Sequence, residues 1–135
     1  MTKSELERAR DARLLVKSCE DDLNDLRSIA YSAPTASYAE IVGSSPHSNE
    51  SKPENYTIKI MEYEERVKKA MACYIEEQTK ASQAIDKLEN YKERLILRLR
   101  YINGKTIKEI CSIVGYTRSR VYEIHDRAIE NIANL

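Results

Sequence analysis

The chain has 135 residues, of which 41% are apolar and 33% are charged. This composition is typical of a helical protein with a narrow core, and its apolar content argues against wholesale disorder. Three glycines and three prolines are too few for a multi-stranded β protein, which needs many turns. The composition therefore predicts an all-α fold.

The charges are unevenly distributed along the chain. The 22 basic and 22 acidic residues cancel overall, but residues 91–135 contain nine basic and five acidic residues. A basic C-terminal third is what electrostatic attraction to phosphate would require. The charge distribution therefore favours residues 91–135 as the location of a nucleic-acid site.

The cysteines and the apolar runs exclude several other classes. Cys19, Cys73 and Cys111 are far apart and form no Cys-x-x-Cys pair, so neither a disulfide framework nor a zinc finger is predicted. No apolar stretch resembles a signal peptide or approaches the roughly 18 residues of a membrane span. We expect a cytoplasmic protein with no metal site, no cofactor and no membrane association.

The first predicted helix covers about residues 4–31. Its apolar positions recur at alternating spacings of three and four, which is the pattern of a coiled-coil seam. The seam consists of Ala9, Ala12, Val16, Cys19, Leu23, Leu26 and Ala30. All three prolines and Gly43 follow within residues 32–54, so a long loop is predicted there.

A second long helix is predicted from about Glu54 to Glu89 or beyond. Apolar residues are spaced seven apart along it, at Ile60, Val67, Tyr74, Ala81, Leu88 and Leu95. A seam of this length needs a partner, which is the first helix, another copy of the chain, or both. Residues 1–90 are thus predicted to be an association region, a coiled-coil-like hairpin or dimer, through which the protein forms a homo-oligomer.

Residues 91–135 are predicted to form three short helices. The first covers Tyr91–Ile102 and is stopped by Gly104, because glycine is favoured after a helix C-terminus. Thr106 and Glu109 fit a capping box at the start of the second helix, which Gly115 ends. Thr117 is the expected N-cap of the third helix, which runs toward Leu135.

The third helix has the outline of a recognition helix. Its apolar residues Val121, Ile124, Ala128 and Leu135 fall on one face at about 100° per residue. The opposite face is polar, and a helix of this kind places the side chains near its N-terminus in the major groove of DNA. The candidate DNA-binding residues are Thr117, Arg118, Ser119, Arg120, Tyr122 and Glu123, joined by Lys105 and Lys108. His125, at the edge of the inner face, is expected to pack or to contact phosphate.

The stretch from Leu97 to Ile110, followed by Val114 to Ile129, resembles region 4 of bacterial sigma-70-type factors. In that family a helix-turn-helix reads the −35 promoter element, and the resemblance implies that Arg118, Ser119, Arg120, Tyr122 and Glu123 contact bases and backbone. Ser119 and Glu123 differ from the residues frequent in that family, so its sequence preference is not transferred.

The whole arrangement is similar to small phage and prophage proteins, the RinA/ArpU-type late-transcription regulators. These combine a short N-terminal helix, a loop rich in Gly, Ser and Pro, a long charged helix and a sigma-region-4-like end. The resemblance covers roughly residues 41–135, with Val42-Gly-Ser-Ser-Pro in the loop, and Ile107 stands where that group usually has an aromatic residue.

These observations support a DNA-binding transcriptional regulator of phage or prophage type, with double-stranded DNA as its partner. One alternative is an adaptor that binds RNA polymerase or a sigma factor; another is a coiled-coil assembly protein whose terminal helices only cap the bundle. An enzyme is not expected, because the sequence has no nucleophile–base pair, paired carboxylate site or phosphate-binding glycine loop.

Overall fold

The computed structural model describes the backbone of residues 1–41 and 47–135, and the side chains of residues 1–32 and 55–135. The described backbone is mostly helical and contains no strand, so the predicted all-α class is confirmed. The elements are α1 (Lys3–Ile41), α2 (His47–Asp86), α3 (Tyr91–Leu97), a π-helical turn (Arg98–Ile102), α4 (Ile107–Val114) and α5 (Arg118–Ala133). No helix within these residues is long and apolar enough to cross a membrane.

The two long helices extend further than predicted. α1 continues to Ile41 and α2 begins at His47, so the predicted loop is wrong for residues 32–41 and 47–54. Its remaining part, residues 42–46, lies outside the described residues. Proline weighs against a helix because it removes a backbone donor, but alanine, the best helix former, recurs at 33, 36 and 39 and favours the longer α1.

α2 ends at Asp86, earlier than its heptad pattern predicts. Asn90 is the N-cap of α3, and its side chain accepts hydrogen bonds from the backbone N–H groups of Lys92 and Glu93 at 2.9 and 3.3 Å. This cap starts a new helix and breaks the predicted seam between Leu88 and Leu95. Leu88 remains buried, whereas Leu95 is only half-buried.

Contacts divide the chain into two compact units. The terminal unit comprises residues 1–15 and 71–135, and the middle unit comprises residues 16–70. In the middle unit Val16 and Leu23 of α1 and Ala70 of α2 are buried. Nη2 of Arg27 donates to Oε1 of Glu64 at 3.0 Å. Here α1 therefore contacts α2 of the same chain.

The main core of the terminal unit joins both ends of the chain. Its members are Leu6 and Ala9 of α1, Ala81 and Ile85 of α2, Leu88, and then Leu97, Tyr101, Ile102, Ala128 and Ile132. Because these residues come from both sides of residue 90, the core does not end at the domain boundary predicted there. A fragment containing only residues 91–135 would expose half of this cluster to water.

A second buried cluster lies within the last three helices. It consists of Ile96 of α3, Ile107 and Ile110 of α4, and Val121 and Ile124 of α5, with Leu99 and Val114 packed at its edge. The predicted inner face of α5 is therefore confirmed for Val121 and Ile124. Leu135 is an exception, since it follows the last turn of α5 and is 65% exposed.

Candidate nucleic-acid interface

The turn before α4 is fixed by its backbone conformation and by two arginines. Gly104 has a φ of +69°, a conformation that residues with a Cβ rarely adopt, and an added Cβ would lie 3.1 Å from the side chain of Arg13. Nη1 of Arg13 donates to the carbonyl of Ile102 at 3.0 Å. Nη1 of Arg100 donates to the carbonyl of Lys105 at 3.2 Å. The first bond satisfies a carbonyl group that the end of the π-helical turn leaves without a partner, and the second satisfies a carbonyl group of the turn that follows it.

α4 begins and ends where the sequence predicts. The Thr106 hydroxyl accepts from the backbone N–H of Glu109 at 3.2 Å, and the Glu109 carboxylate accepts from the backbone N–H of Thr106 at 3.4 Å. These reciprocal bonds form the predicted capping box and lower the pKa of Glu109. Gly115 follows α4 in the left-handed region with a φ of +75°.

The turn between α4 and α5 contains only Gly115, Tyr116 and Thr117. Thr117 is the N-cap of α5, and its hydroxyl accepts from the backbone N–H of Arg120 at 3.2 Å. The side chain predicted to contact DNA thus has a structural bond within its own chain. Both threonine caps of the sequence analysis are confirmed.

The polar face at the start of α5 is open to water. Arg118, Ser119, Tyr122 and Glu123 are exposed, and Arg120 is half-buried. The opposite face holds Val121, Ile124 and Ala128, which are buried. The 3.6-residue repeat therefore separates a packed face from a free polar face, as predicted.

Arg118 contacts an aromatic ring one turn further along α5. Its guanidinium carbon lies 5.7 Å from the centre of the Tyr122 ring, within the range of a cation–π interaction. A side-chain hydrogen bond to Tyr122 raises the pKa of Arg118. The pair places a permanent positive charge beside a hydroxyl group on the exposed face.

Glu123 accepts from two arginines. Nη1 of Arg120 lies 3.0 Å and Nη2 of Arg127 lies 3.4 Å from the same carboxylate oxygen, Oε1. All three side chains are substantially exposed, so each pair contributes little to stability. Glu123 partly neutralises the positive potential around Arg120, with which it pairs, but has less effect on that around Arg118.

A groove with a volume of about 630 Å³ lies beside the polar face. We call it the α4–α5 groove. It is lined by Arg100, Thr106, Ile107, Lys108, Cys111, Tyr116, Thr117, Arg118 and Tyr122. Its charged side chains are three cations and no carboxylate.

The groove sorts the predicted site residues into two groups. Lys108, Thr117, Arg118 and Tyr122 line it together. Ser119, Arg120 and Glu123 lie on α5 outside the groove lining. Lys105 is also outside, and its ammonium group lies 3.8 Å from the Glu109 carboxylate.

Arg100 lines the groove but was not among the residues predicted to bind DNA. It lies in the stretch Leu99-Arg-Tyr-Ile, where the apolar residues predict a core helix. The π-helical turn places Tyr101 and Ile102 in the core and leaves Arg100 half-buried at the groove. The charge of Arg100 within the basic C-terminal third was the available signal.

A buried polar pair also went unpredicted. The Tyr101 hydroxyl lies 2.7 Å from Nε2 of His125, and Nδ1 of His125 lies 3.0 Å from the Asp126 carboxylate. If Nδ1–H donates to Asp126, Nε2 of the neutral ring accepts from Tyr101. Burial raises the pKa of Tyr101 to about 12, so its hydroxyl keeps its proton. His125 is 6% exposed, which supports the packing role.

Replacing Tyr101 by phenylalanine is expected to lower the free energy of unfolding by about 1–3 kcal/mol. The change removes the donor to Nε2 of His125 and leaves a buried nitrogen unsatisfied. Denaturant unfolding measures this loss, with Tyr122→Phe, which removes an exposed hydroxyl, as the matched control. Equal stabilities for the two variants would contradict the assigned role of the Tyr101–His125 bond.

A second polar contact, which is partly buried, ties α3 to α5. Glu93 is 3% exposed, and Nδ2 of Asn131 donates to both of its carboxylate oxygens at 3.0 Å. A buried carboxylate is costly unless it is hydrogen-bonded. This contact therefore helps to fix how the end of α5 lies on α3, away from the candidate interface.

Within the part of the chain that the structure describes, no group of three or more His, Cys, Asp or Glu residues is placed to hold a metal ion. The site instead consists of a polar helix face and a basic groove, both held by buried apolar residues. Together these features define a small all-helical protein whose last two helices are joined by a three-residue turn.

The chain belongs to the DUF1492 family, described as a protein of unknown function. The match covers residues 32–133, about three quarters of the chain. It includes α2 to α5 and therefore the whole candidate interface. The chain matches neither a curated protein nor a solved structure.

Proposed function

We propose that the protein is a DNA-binding transcriptional regulator of phage or prophage type, which reads duplex DNA with α5 in the major groove. The observation that carries this proposal is the exposed polar face of α5 beside a groove whose charged groups are all basic. Arg100, Lys108 and Arg118 supply those charges. A phosphate backbone is the partner that matches such a surface.

The residues of the interface fit distinct tasks in DNA binding. Arginine can bind guanine edges with two hydrogen bonds or contact phosphate, a role for Arg118 and Arg120. Lys105, Lys108 and the Tyr122 hydroxyl suit phosphate contacts, which position the protein without reading sequence. The positive end of the α5 helix dipole also favours phosphate near Thr117 and Ser119.

Glu123 gives the interface a means of selection. A carboxylate can accept a hydrogen bond from the amino group of cytosine, but it repels phosphate. In the free protein its charge is balanced by Arg120 and Arg127. On binding, Arg120 would leave Glu123 and contact a base or a phosphate instead. Glu123 would then need a hydrogen-bond donor from the DNA, so the affinity would depend on which base lies beside it.

The sigma-region-4 and RinA/ArpU-type resemblances support the same proposal. Both involve the stretch from Leu97 to Ile129, which contains the cap of α4, the turn at Gly115 and the polar face of α5. A regulator of this type acts in the cytoplasm of a bacterial host. It would find its DNA there, and RNA polymerase as a further partner.

Duplex binding that weakens steeply with salt is the expected result of the first test. Each neutralised phosphate releases a counterion, so the logarithm of the affinity should fall linearly with that of salt concentration, by about 0.9 per phosphate contact. Fluorescence anisotropy of the full chain with a labelled random duplex at several salt concentrations measures this slope. No binding to duplex at low salt would overturn the proposal.

An adaptor that binds RNA polymerase or a sigma factor is the second candidate. The observation that favours it is Ile113, an apolar side chain of α4 that is 55% exposed. Protein interfaces bury such residues at their centres. In that case Ile113→Asp should abolish capture of polymerase, and duplex binding should be absent.

A further inference from the structure

α2 carries an outer stripe in addition to the seam that contacts α1. Its members alternate at spacings of three and four residues: Ile58, Met61, Glu65, Lys68, Ala72 and Ile75. All six are exposed. At about 100° per residue they share one side of α2, turned away from Ala70 and Ala81, which are buried on the inner side.

The chemistry of the outer stripe is self-complementary about its midpoint, between Arg66 and Val67. Two isoleucines, Ile58 and Ile75, stand at its ends. Met61 and Ala72 come next, and the oppositely charged Glu65 and Lys68 stand at its centre. Such a pattern matches its own copy when that copy runs in the opposite direction.

We propose that the outer stripe is a two-fold interface with a second copy of this chain, in which the two α2 helices run antiparallel. When two copies of α2 pair antiparallel about a two-fold axis, each stripe residue faces the residue of the other copy that lies equally far from the midpoint on its opposite side. Ile58 then faces Ile75 of the partner subunit, and Met61 faces Ala72 of the partner subunit. A two-fold axis at the midpoint repeats every contact.

The charges select the antiparallel direction. Glu65 meets Lys68 of the partner subunit in this arrangement, and the flanking Glu62 lies near Lys69 of the partner subunit. A parallel pair would place Glu65 against Glu65 of the partner subunit, and like charges that face each other across an interface are destabilising. The acidic half of the stripe therefore matches only the basic half of a reversed copy.

These central charges are available for a partner. Helical neighbours at i, i+3 and i, i+4 often pair on a solvated surface, which would give the stripe a purely local explanation. Among the described side chains, however, the ion pairs on α2 involve Glu64 with Arg27, Glu76 with Lys80, and Asp86 with Arg98. Glu65 and Lys68 take part in none of them.

The first experiment measures the mass of the full chain in solution by sedimentation equilibrium. We expect a concentration-dependent species of twice the chain mass of 15.6 kDa. Ile75→Asp should leave only the single chain, because it places an unpaired charge in the interface. Ile113→Asp is the matched control, since Ile113 on α4 is equally exposed at 55% and should leave the dimer intact.

Charge reversal tests the central pair independently of the apolar ends. Glu65→Lys and Lys68→Glu should each raise the dissociation constant of the dimer by about tenfold or more, because each brings like charges together. The double variant should return it to near the original value. A purely local role for these charges would alter helix content and leave the mass unchanged in all three variants.

The direction of pairing is tested by cross-linking in a background where Cys19, Cys73 and Cys111 are replaced by serine. A mixture of Ile58→Cys and Ile75→Cys chains should form a mixed disulfide, whereas Ile75→Cys alone should not. A single-chain mass at all concentrations, a dimer that survives Ile75→Asp, or efficient cross-linking of Ile75→Cys to itself would each overturn the proposal.

Discussion

Replacing Ile85 by alanine is expected to lower the free energy of unfolding by about 2–5 kcal/mol, the usual cost of removing a large aliphatic side chain from a packed core. Ile85 of α2 is fully buried. Its cluster joins α1, α2, the π-helical turn and α5, so the cavity would face helices from both ends of the chain. Denaturant unfolding followed by circular dichroism measures the loss.

The matched control for Ile85→Ala is Ile113→Ala, the same substitution at an exposed position of α4. Its expected cost is below about 0.5 kcal/mol, because surface substitutions rarely exceed that value. The comparison tests whether the C-terminal helices depend on the upstream ones. If Ile85→Ala left α3 to α5 as stable as before, residues 91–135 would fold by themselves and the shared core would be of little consequence.

Local signals in the sequence were sufficient to place the ends of the short helices. The caps at Thr106 and Thr117 and the glycine at 115 act within four residues of chain, so the sequence contains each complete motif. The inner face of α5 was predictable for the same reason, since a 3.6-residue repeat of apolar residues can be recognised without knowing which helix packs against it.

Features that depend on distant partners were not predictable in this way. Nothing near Leu6 in the sequence indicates that it shares a buried cluster with Ile132, because the tertiary fold brings these two residues together. The buried carboxylate of Glu93 likewise looks like a surface residue until Asn131 is brought next to it. The end of α1 differs from the prediction for another reason, because the helix-favouring alanines at 33, 36 and 39 outweigh the effect of Pro34.

In the candidate interface, too, some features follow from the local sequence and others depend on the tertiary fold. Seven of the eight predicted residues lie on exposed or half-exposed positions of α4, α5 or the turn before α4, and the eighth, Thr117, is the exposed N-cap. Helical periodicity is enough to find such a face. The α4–α5 groove required the structure, because Arg100 reaches it from a different element and across six residues of chain.

Arg118→Ala is expected to weaken duplex binding by about 1–3 kcal/mol, roughly 5- to 150-fold in the dissociation constant, with unchanged stability. Arg118 lines the α4–α5 groove, stacks on Tyr122 and forms no ion pair with a carboxylate among the described side chains. Its charge is therefore available to DNA, whereas that of Arg120 is already engaged by Glu123. Exposed and free of core contacts, it can be removed without cost to the fold.

Arg8→Ala, which removes the same charge from an exposed position of α1, is the control for Arg118→Ala. Binding of a specific and a random duplex, measured at matched salt, separates the two roles open to Arg118. A base contact would reduce specific binding more than random binding, whereas a phosphate contact would weaken both equally and lower the salt slope by about one contact. Equal binding by the Arg118 and Arg8 variants would remove Arg118 from the interface. That result would favour the adaptor function, in which the exposed face of α4 around Ile113 binds a protein partner.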